Sequence, residues 1–323
     1  FSFAIKTSSD MNEISTFVMS TIGYVIEELR NQAGKRKKLS FRVRVKRIDK
    51  SLCPKRDIEI LLAEQILGKY GDLMVDLINA ELSLYCEIHE DFTFIFYNME
   101  KGQKGLPSGS NPPVLALLSG GFDSPVATWK IMRRGAEVIF VHFHSYPSTS
   151  LASKENVREI IKILTQYQFY SKAYFVPFLD IQKSIMLNCE QSFGVILYRR
   201  FMMRIAEKIA KNENAKALIT GDSLGQVASQ TLENIAVVSS AIDLPILRPL
   251  IGENKEDIIK LSQEIGTFDI SSRPVEDCCS LFVPKHPKTK ARVEDVMEME
   301  KKLDIDELIR SALDKTEAEI FDI

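Results

Sequence analysis

The feature that most constrains the fold is a continuous apolar run followed at once by a loop of small and polar residues. Val114–Leu118 reads VLALL, and Ser119–Pro125 reads SGGFDSP. An apolar run without alternation is typical of a strand buried on both faces of a parallel sheet. Pro125 suits the first turn of a helix, because its missing N–H costs nothing there. The segment therefore predicts a strand, a tight loop and a helix, the repeating unit of an α/β fold.

The loop has the composition of a phosphate-binding site. Gly120 and Gly121 let backbone N–H groups approach a ligand closely, and N–H groups at a helix N-terminus attract phosphate oxygens. Ser119 and Ser124 add hydroxyl donors. Asp123 would repel phosphate unless a cation lies between them, so we expect Mg²⁺ between Asp123 and the phosphates of a nucleotide. The loop is neither GxGxxG nor GxxxxGK[ST].

Further apolar runs continue the pattern after the loop. Glu137–Phe143 and Lys216–Thr220 are expected strands. Helix-like stretches between these runs are Ser124–Arg133, Lys154–Gln166 and Tyr198–Lys211. This alternation predicts an α/β fold with a Rossmann-like, doubly wound parallel sheet. Past Lys290 the sequence is charged and helical, and we expect no further strand.

The carboxyl ends of parallel strands are the expected ligand-binding edge of this sheet. The residues at or just after these ends are Leu117, Leu118, His142, Phe143, Gly221 and Asp222. We expect them to converge on one nucleotide, with His142 and Phe143 beside the adenine. Arg199, near the start of a long helix, is a candidate to contact phosphate. Asp222 is an alternative to Asp123 as the carboxylate that contacts Mg²⁺.

The chain before the loop predicts a separate small α/β unit. It combines a helix over about Met11–Leu29, a strand at Phe41–Val45, a second helix with Asp57 as its N-cap, and strands at Leu82–Ile88 and Thr93–Tyr97. The stretch KGQKGLPSGSNPP is rich in Gly, Ser and Pro, which is typical of a linker. We therefore assign residues 1–104 to a first domain, 105–113 to a linker and 114–323 to a second domain.

A basic segment in the first unit points to a nucleic-acid partner. The formal net charge of the chain is −2, yet Lys35–Arg56 contains eleven Lys or Arg and one acid, Asp49. Alternation within it predicts that Phe41, Val43 and Val45 face a core while the basic residues between them face solvent. The candidates for contact with an RNA backbone are Lys35, Arg36, Lys37, Lys38, Arg42, Arg44 and Lys46.

These motifs together carry a resemblance to a known family. The loop SGGFDS resembles the pyrophosphate loop of the PP-loop ATP pyrophosphatases. Three further stretches narrow the match: GDSLGQVASQTL at 221–232, ILRPL at 246–250 and EDCCSLFVPKHP at 276–287. With them the chain resembles the tRNA 4-thiouridine synthetase (tRNA sulfurtransferase) family over nearly its whole length. The first hundred residues resemble the RNA-binding THUMP domain of that family, and residues 1–10 resemble the remnant of a preceding ferredoxin-like domain.

The resemblance implies a reaction and a set of site residues. ATP would adenylate O4 of a uridine in tRNA, and sulfur would then displace AMP to leave 4-thiouridine. The ATP site would be lined by Leu117, Leu118, His142, Phe143, Arg199, Gly221 and Gln230. The pyrophosphate loop would comprise Ser119, Gly120, Gly121, Asp123 and Ser124. Some family members also supply sulfur for thiamine thiazole synthesis.

The cysteines bear on sulfur delivery. There are five, with no CxxC, which argues against a disulfide scaffold or a zinc ribbon and favours a reducing cytoplasm. Cys278 and Cys279 are adjacent, and adjacent cysteines rarely meet disulfide geometry. By the resemblance Cys279 carries the sulfur, with Cys278 as the alternative. Some relatives end in a rhodanese domain, whereas no cysteine follows Lys290 here. We therefore expect a separate cysteine desulfurase as the sulfur donor.

Two other functional classes remain open from the sequence. One is a different adenylating enzyme with the same loop, such as an amidotransferase-like ligase, although the basic N-terminal unit would then be unexplained. The other is an RNA-binding protein whose nucleotide domain has lost catalysis. No apolar run approaches the roughly 18 residues of a membrane span, so we expect no membrane partner. A homodimer is compatible with the sequence.

Overall fold

The computed structural model describes residues 3–33, 38–48, 54–99, 102, 104–274, 278, 282 and 287–323. The chain forms two compact units, Phe1–Gln103 and Lys104–Ile323. The candidate residues Lys35, Arg36, Lys37 and Cys279 lie outside the described residues. Within the described ranges no helix is both long and apolar enough to cross a membrane.

The first unit is a five-stranded sheet with two helices. Its elements are β1 (Ala4–Thr7), α1 (Met11–Ala33), β2 (Ser40–Arg47), α2 (Lys55–Lys69), β3 (Met74–Val75), β4 (Leu82–Ile88) and β5 (Thr93–Tyr97), in the sheet order β1-β5-β4-β2-β3. Ile14, Val18, Ile22 and Ile26 recur at helical spacing on α1 and are fully buried against the sheet core. Both helices therefore cover one face of the sheet, as the amphipathic pattern predicts.

The strand β2 confirms the expected alternation. Phe41, Val43 and Val45 are buried in the core of the first unit, whereas Arg44 and Lys46 are exposed. The expected N-cap at Asp57 is wrong, because α2 begins at Lys55. Pro54 is the N-cap, with a φ of −52°, and Asp57 donates its backbone N–H to the Pro54 carbonyl. Proline fixes the backbone at this start, and the Asp57 carboxylate still lies favourably in the first helical turn.

The second unit is a six-stranded sheet with helices on both faces. Its elements are β6 (Asn111–Leu117), α3 (Asp123–Met132), β7 (Ala136–His144), α4 (Ala152–Thr165), β8 (Tyr170–Pro177), α5 (Leu179–Asn188), α6 (Gly194–Asn212), β9 (Leu218–Ile219), α7 (Leu232–Ser239), β10 (Ile246–Leu247), α8 (Lys255–Glu264), α9 (Phe268–Ser271), α10 (Val293–Glu300), α11 (Ile305–Asp314) and β11 (Glu317–Asp322). The strand order is β10-β9-β6-β7-β8-β11.

The central strands are buried on both faces, as their continuous apolar runs predict. Leu115 of β6 packs into a core with α5, α6 and α7, whereas Val114 and Ala116 pack into a second core with α3, α4 and α8. β7 divides in the same way, with Val141 in the first core and Phe140 in the second. The five strands from β10 to β8 are parallel. The doubly wound α/β prediction is therefore confirmed.

Two features of the second unit differ from the sequence-based expectations. The expected linker is partly structured, because Leu106 donates its N–H to the Arg133 carbonyl and β6 already begins at Asn111. The expectation of no strand past Lys290 is wrong, since β11 pairs antiparallel with β8. Only Phe321 of β11 is buried, so the strand lacks an apolar pattern of its own and depends on this pairing.

Candidate active site

The SGGFDS loop connects the carboxyl end of β6 to the N-terminus of α3. Hydrogen bonds between two serines hold the ends of the loop together. Ser119 N–H donates to Ser124 Oγ at 2.9 Å, and the two hydroxyl oxygens are 3.2 Å apart. Gly121 N–H also donates to Ser119 Oγ at 3.3 Å. A Cβ placed on Gly120 would meet no atom within 4 Å. Protein packing thus leaves the space above the loop open, which is the space that a closely approaching phosphate needs.

Gly221 has a different physical requirement. It follows β9, and a Cβ there would lie 2.7 Å from Ser124 N and 2.9 Å from Asp123 C. These are backbone atoms of the first turn of α3, which cannot give way as a flexible side chain could. Gly221 therefore lets the end of β9 approach the start of α3, and any larger residue would displace the loop.

Asp123 is paired with a residue to which the sequence analysis assigned no role. Lys255, the first residue of α8, donates Nζ–H to Asp123 Oδ1 at 2.7 Å. Gln226 donates Nε2–H to the other carboxylate oxygen at 3.1 Å. The ammonium of Lys255 also lies 5.4 Å from the centre of the Phe122 ring. A cation therefore lies beside the SGGFDS loop even though the loop itself contains no lysine.

Asp222 lies deeper and is held by two arginines. It is 3% exposed, and it accepts hydrogen bonds from Arg199, from Arg248 Nε at 3.2 Å and from Thr220 Oγ1 at 2.8 Å. Burial alone would raise the pKa of its carboxyl, but Arg199, Thr220 and Arg248 outweigh it, so that the pKa lies below its usual value. Asp222 is thus an anion that orients Arg199 rather than an exposed metal ligand.

Two adjacent arginines of α6, Arg199 and Arg200, face different surroundings. Arg199 faces the cavity at the sheet edge, where it also donates to the Ser229 carbonyl at 3.1 Å. Arg200 is buried and donates Nε–H to Glu300 of α10 at 2.8 Å. Arg204, one turn further on, contacts the same carboxylate at 2.6 Å. The ion pairs of Arg200 and Arg204 with Glu300 fix the rotation of α6 about its axis. In this orientation Arg199 faces the cavity.

Two adjoining cavities bring the expected nucleotide residues together. A cavity of about 280 Å³ is lined by residues that include Leu117, Ser119, Asp123, Ser124, Arg199, Gly221 and Gln230. A smaller one is lined by Leu117, Leu118, Ser119, His142, Phe143, Met202 and Cys278. Leu117, Ser119 and Met202 line both, so the two cavities adjoin along shared walls. Gly120 and Gly121 lie in the connecting loop rather than on the cavity walls.

The apolar cavity is built on β7. His142 is 2% exposed, and its Nδ1 lies 2.9 Å from the Leu118 carbonyl oxygen. A carbonyl only accepts, so Nδ1 carries the proton and the ring orientation is set by the backbone of β6. Phe143 is buried edge-on against Phe178, with ring centres 5.4 Å apart. These fixed walls suit a flat heteroaromatic ring.

Cys278 lines this apolar cavity and is 4% exposed. Two other described cysteines are unsuited to sulfur chemistry. Burial raises the pKa of the Cys86 thiol to about 12, and burial also raises the pKa of Cys189. Thiolates are the reactive form, so neither thiol is activated. Cys278 is therefore the described cysteine that the fold places at the carboxyl edge of the parallel strands.

The open face of the first unit combines basic and aromatic side chains. Tyr85 of β4 stacks on Phe96 of β5 with ring centres 5.0 Å apart and an angle of 7° between the planes. Arg44 pairs in register with Tyr85 on the adjacent strand. Arg42 is partly used within the protein, since Nε–H donates to Ser83 Oγ at 2.8 Å. Lys46 lies 3.2 Å from Glu87. The basic residues are evident from the sequence, whereas the aromatic pair was not predicted because its members lie on two different strands.

The fold and site define a PP-loop nucleotide-binding domain preceded by a THUMP domain. The sequence matches the THUMP domain over residues 19–98 and the family described as "Thiamine biosynthesis protein (ThiI)" over residues 109–305. The chain belongs to the ThiI family.

Curated relatives and a solved structure agree with this assignment. A "Probable tRNA sulfurtransferase" of Alkaliphilus oremlandii is 44% identical over 91% of this chain and 76% of its own length. One from Thermoanaerobacter sp. is 44% identical over 99% of this chain and 80% of its own. A 4-thiouridine synthetase–RNA complex with bound ATP superposes with a TM-score of 0.87 at 33% identity, covering 99% of this chain and 82% of that one.

Proposed function

We propose that this chain is a tRNA sulfurtransferase that activates a uridine with ATP and replaces its O4 by sulfur. O4 of the base attacks the α-phosphorus, pyrophosphate leaves, and a sulfur nucleophile then forms a bond to C4 as the C4–O bond breaks and AMP leaves. One observation carries the proposal: Ser119 of the phosphate-type loop and Cys278 line the same cavity, and Ser119 also lines the adjoining cavity that Asp123 and Arg199 line. Activation is required because AMP is a far better leaving group than a pyrimidine oxygen.

The loop and its surroundings would bind the triphosphate. Backbone N–H groups at the start of α3 and the hydroxyls of Ser119 and Ser124 suit phosphate oxygens. Lys255, which is ion-paired with Asp123, lies close enough to the loop to contact the phosphates as well. Its ammonium would balance the negative charge that develops on pyrophosphate. Arg199, held by Asp222, would bind the phosphate that stays with the adenosine.

A magnesium ion fits this arrangement through one carboxylate. Among the described residues no group of three or more His, Cys, Asp or Glu side chains is placed to hold a metal. Mg²⁺ commonly uses one or two carboxylates together with phosphate oxygens and water. The Asp123 side chain is 24% exposed and the Asp222 side chain 5%, so Asp123 is the residue that would hold the ion. When bound, Mg²⁺ supplies charge neutralisation on the phosphates.

Sulfur delivery would use the Cys278–Cys279 pair. A cysteine desulfurase would load a persulfide on one of these thiols, and the resemblance favours Cys279. The outer sulfur forms the bond to C4, and an external thiol then reduces the remaining S–S link to release 4-thiouridine. Cys278 lies at the cavity that holds His142 and Phe143, which supports a role for this pair at the activated base.

The substrate would be a folded tRNA that contacts the THUMP domain. Arg42, Arg44 and Lys46 form a basic row beside the Tyr85–Phe96 stack. Positive side chains bind phosphates, and half-buried aromatic rings on an open sheet face can stack on unpaired bases. The related 4-thiouridine synthetase structure is itself an RNA complex with ATP, which supports an RNA substrate here.

The test is a reconstituted reaction. An unmodified tRNA transcript is incubated with the protein, Mg-ATP and sulfide, and nucleosides are quantified by mass spectrometry. We expect 4-thiouridine and AMP in equal amounts, abolished by Asp123→Ala and retained in Asp314→Ala, which changes an exposed acid on α11. AMP without thiolated base would indicate an adenylating enzyme with another acceptor. Tight tRNA binding without AMP would indicate a protein that has lost catalysis.

A further inference from the structure

A buried glutamine connects Cys278 to the end of β7. Gln182 lies on α5 and is 0% exposed. Its Nε2–H donates to the Cys278 carbonyl at 2.7 Å, and its Oε1 accepts a hydrogen bond from Ser145 Oγ at 2.5 Å. Ser145 is also 0% exposed and directly follows β7. The result is a buried chain of hydrogen bonds from Ser145 through Gln182 to Cys278.

The chemistry of the partners fixes the orientation of this amide. The Cys278 carbonyl can only accept, so the NH₂ group of Gln182 must face it and the amide oxygen must face Ser145. Both ends of the amide are used by groups that are out of contact with water. A buried carbonyl that loses its donor is strongly disfavoured, because no water replaces the lost hydrogen bond. The position of the Cys278 backbone therefore depends on Gln182.

The same strand forms the wall of the nucleotide cavity. His142 and Phe143 of β7 line the cavity that Cys278 also lines, and Ser145 lies two residues after Phe143. The hydrogen-bond chain thus ties the cysteine segment to the element that would hold the adenine. Adenylation itself uses the SGGFDS loop, Lys255 and Arg199, none of which contacts Gln182 in the hydrogen bonds described above.

We propose that Gln182 is a positioning residue for sulfur transfer, one that holds the Cys278 backbone at the cavity where the adenylated base forms. This inference rests on the proposed function of the Cys278–Cys279 pair as sulfur carrier. In the step concerned, the outer sulfur of a cysteine persulfide bonds to C4, the C4–O bond breaks and AMP leaves with its oxygen. Free sulfide needs no cysteine to reach C4, so sulfide-driven thiolation does not depend on Gln182.

The experiment compares three rates in Gln182→Met, which keeps the length of the side chain and removes both hydrogen bonds. The rates are tRNA-dependent AMP formation, thiolation driven by sulfide, and thiolation driven by a cysteine desulfurase with L-cysteine. We expect the third rate to fall by tenfold to about a hundredfold, the range that a displacement of about 1 Å produces. The first two rates stay within about twofold. Lys183→Met, which changes an exposed residue of the same helix, is the matched control and keeps all three.

A second variant separates positioning from packing. Gln182→Glu retains the acceptor for Ser145 but, when ionised, cannot donate to the Cys278 carbonyl. We expect the same selective loss, and we expect it to shrink relative to wild type as the pH is lowered, because a protonated carboxyl regains a donor. This recovery also serves if Gln182→Met fails to fold. Equal loss of all three rates in both variants, or no loss in either, would overturn the positioning role.

The failure of the cysteine assignment would look different. Cys278→Ser, Cys279→Ser and the double variant are assayed in parallel with the desulfurase. If the double variant keeps the desulfurase-driven rate, the pair is not the sulfur carrier and the Gln182 role falls with it. If the cysteine variants lose this rate while the Gln182 variants keep it, the sulfur-carrier function stands and the positioning role alone is wrong.

Discussion

Lys255 donates a hydrogen bond to Asp123 at 2.7 Å and so joins the first residue of α8 to the first residue of α3. The two residues are 132 positions apart in the chain. The pair places a positive charge beside a loop that the sequence alone presents as having none. In the proposed function this positive charge would offset the repulsion between the Asp123 carboxylate and the phosphates of ATP.

Replacing Lys255 should slow activation of the uridine rather than weaken tRNA binding. We expect Lys255→Met to lower tRNA-dependent pyrophosphate release by about 10²–10³-fold, as for the loss of a group that stabilises developing charge. Pyrophosphate release under single-turnover conditions measures this effect. Lys260→Met, on the exposed side of the same helix, is the control and should behave as wild type. Normal release in Lys255→Met would show that the ion pair is structural only.

Asp222 should make stability depend on pH in the acidic range. Its folded pKa lies below the ordinary value, so its contribution is complete above about pH 4 and is lost as the pH falls through the folded pKa. We expect Asp222→Asn to lose about 3–5 kcal/mol near neutral pH, because it leaves Arg199 and Arg248 without their anion. Thermal unfolding of both proteins between pH 7 and strongly acidic pH measures the difference. A gap that stays constant down to the lowest pH would contradict the assignment.

Substituting two glycines at the site should distinguish a glycine that packing requires from a glycine that leaves space for a ligand. Gly221→Ala places a Cβ against backbone atoms of α3, and we expect a loss of about 1–3 kcal/mol of stability together with loss of activity. Gly120→Ala meets no neighbouring atom, so its stability should equal that of wild type. Its AMP formation should nevertheless fall at least tenfold if a phosphate occupies that space. Differential scanning fluorimetry measures the stability of both variants, and an AMP assay measures their activity.

The open face of the THUMP sheet should govern tRNA affinity. We expect Arg44→Ala to weaken tRNA binding and to reduce the magnitude of the salt slope of log K by about 1, if Arg44 contacts one phosphate. Tyr85→Ala should weaken binding with little change in that slope, because stacking releases no counterion. Lys69→Ala, on α2 and therefore on the helical side of the sheet, should change neither. Filter binding at several salt concentrations tests this, and equal effects of all three would contradict it.

Much of the fold follows from local sequence patterns. The unbroken apolar run of β6 and β7 predicts burial on both faces, and side chains of these strands do divide between two cores. The alternation in β2 predicts one buried and one open face. These patterns succeed because burial acts on neighbouring residues of one element. β11 was not predicted, because its residues EAEIFD are mostly exposed and are held in place by pairing with β8.

The site is only partly visible in the sequence for a related reason. The SGGFDS loop is contiguous, so a phosphate-binding role can be predicted for it from the sequence alone. The partners that complete the site are distant in sequence: Lys255 for Asp123, and Gln182 for Cys278, which are 96 positions apart. Neither residue type is unusual where it stands. Their roles arise from the packing of α8 beside α3 and of α5 beside the cysteine segment.

β11, the last strand in chain order, affects how molecules of this protein can associate. An unpaired edge strand offers a row of backbone donors and acceptors to other chains. β11 covers the outer edge of β8 and carries Glu317, Glu319 and Asp322. Lys154 and Arg158 of α4 hold the two glutamates at 2.8 Å and 2.9 Å. These ion pairs fasten the border strand to α4, so the backbone edge of β8 stays covered and is not free to pair with another chain.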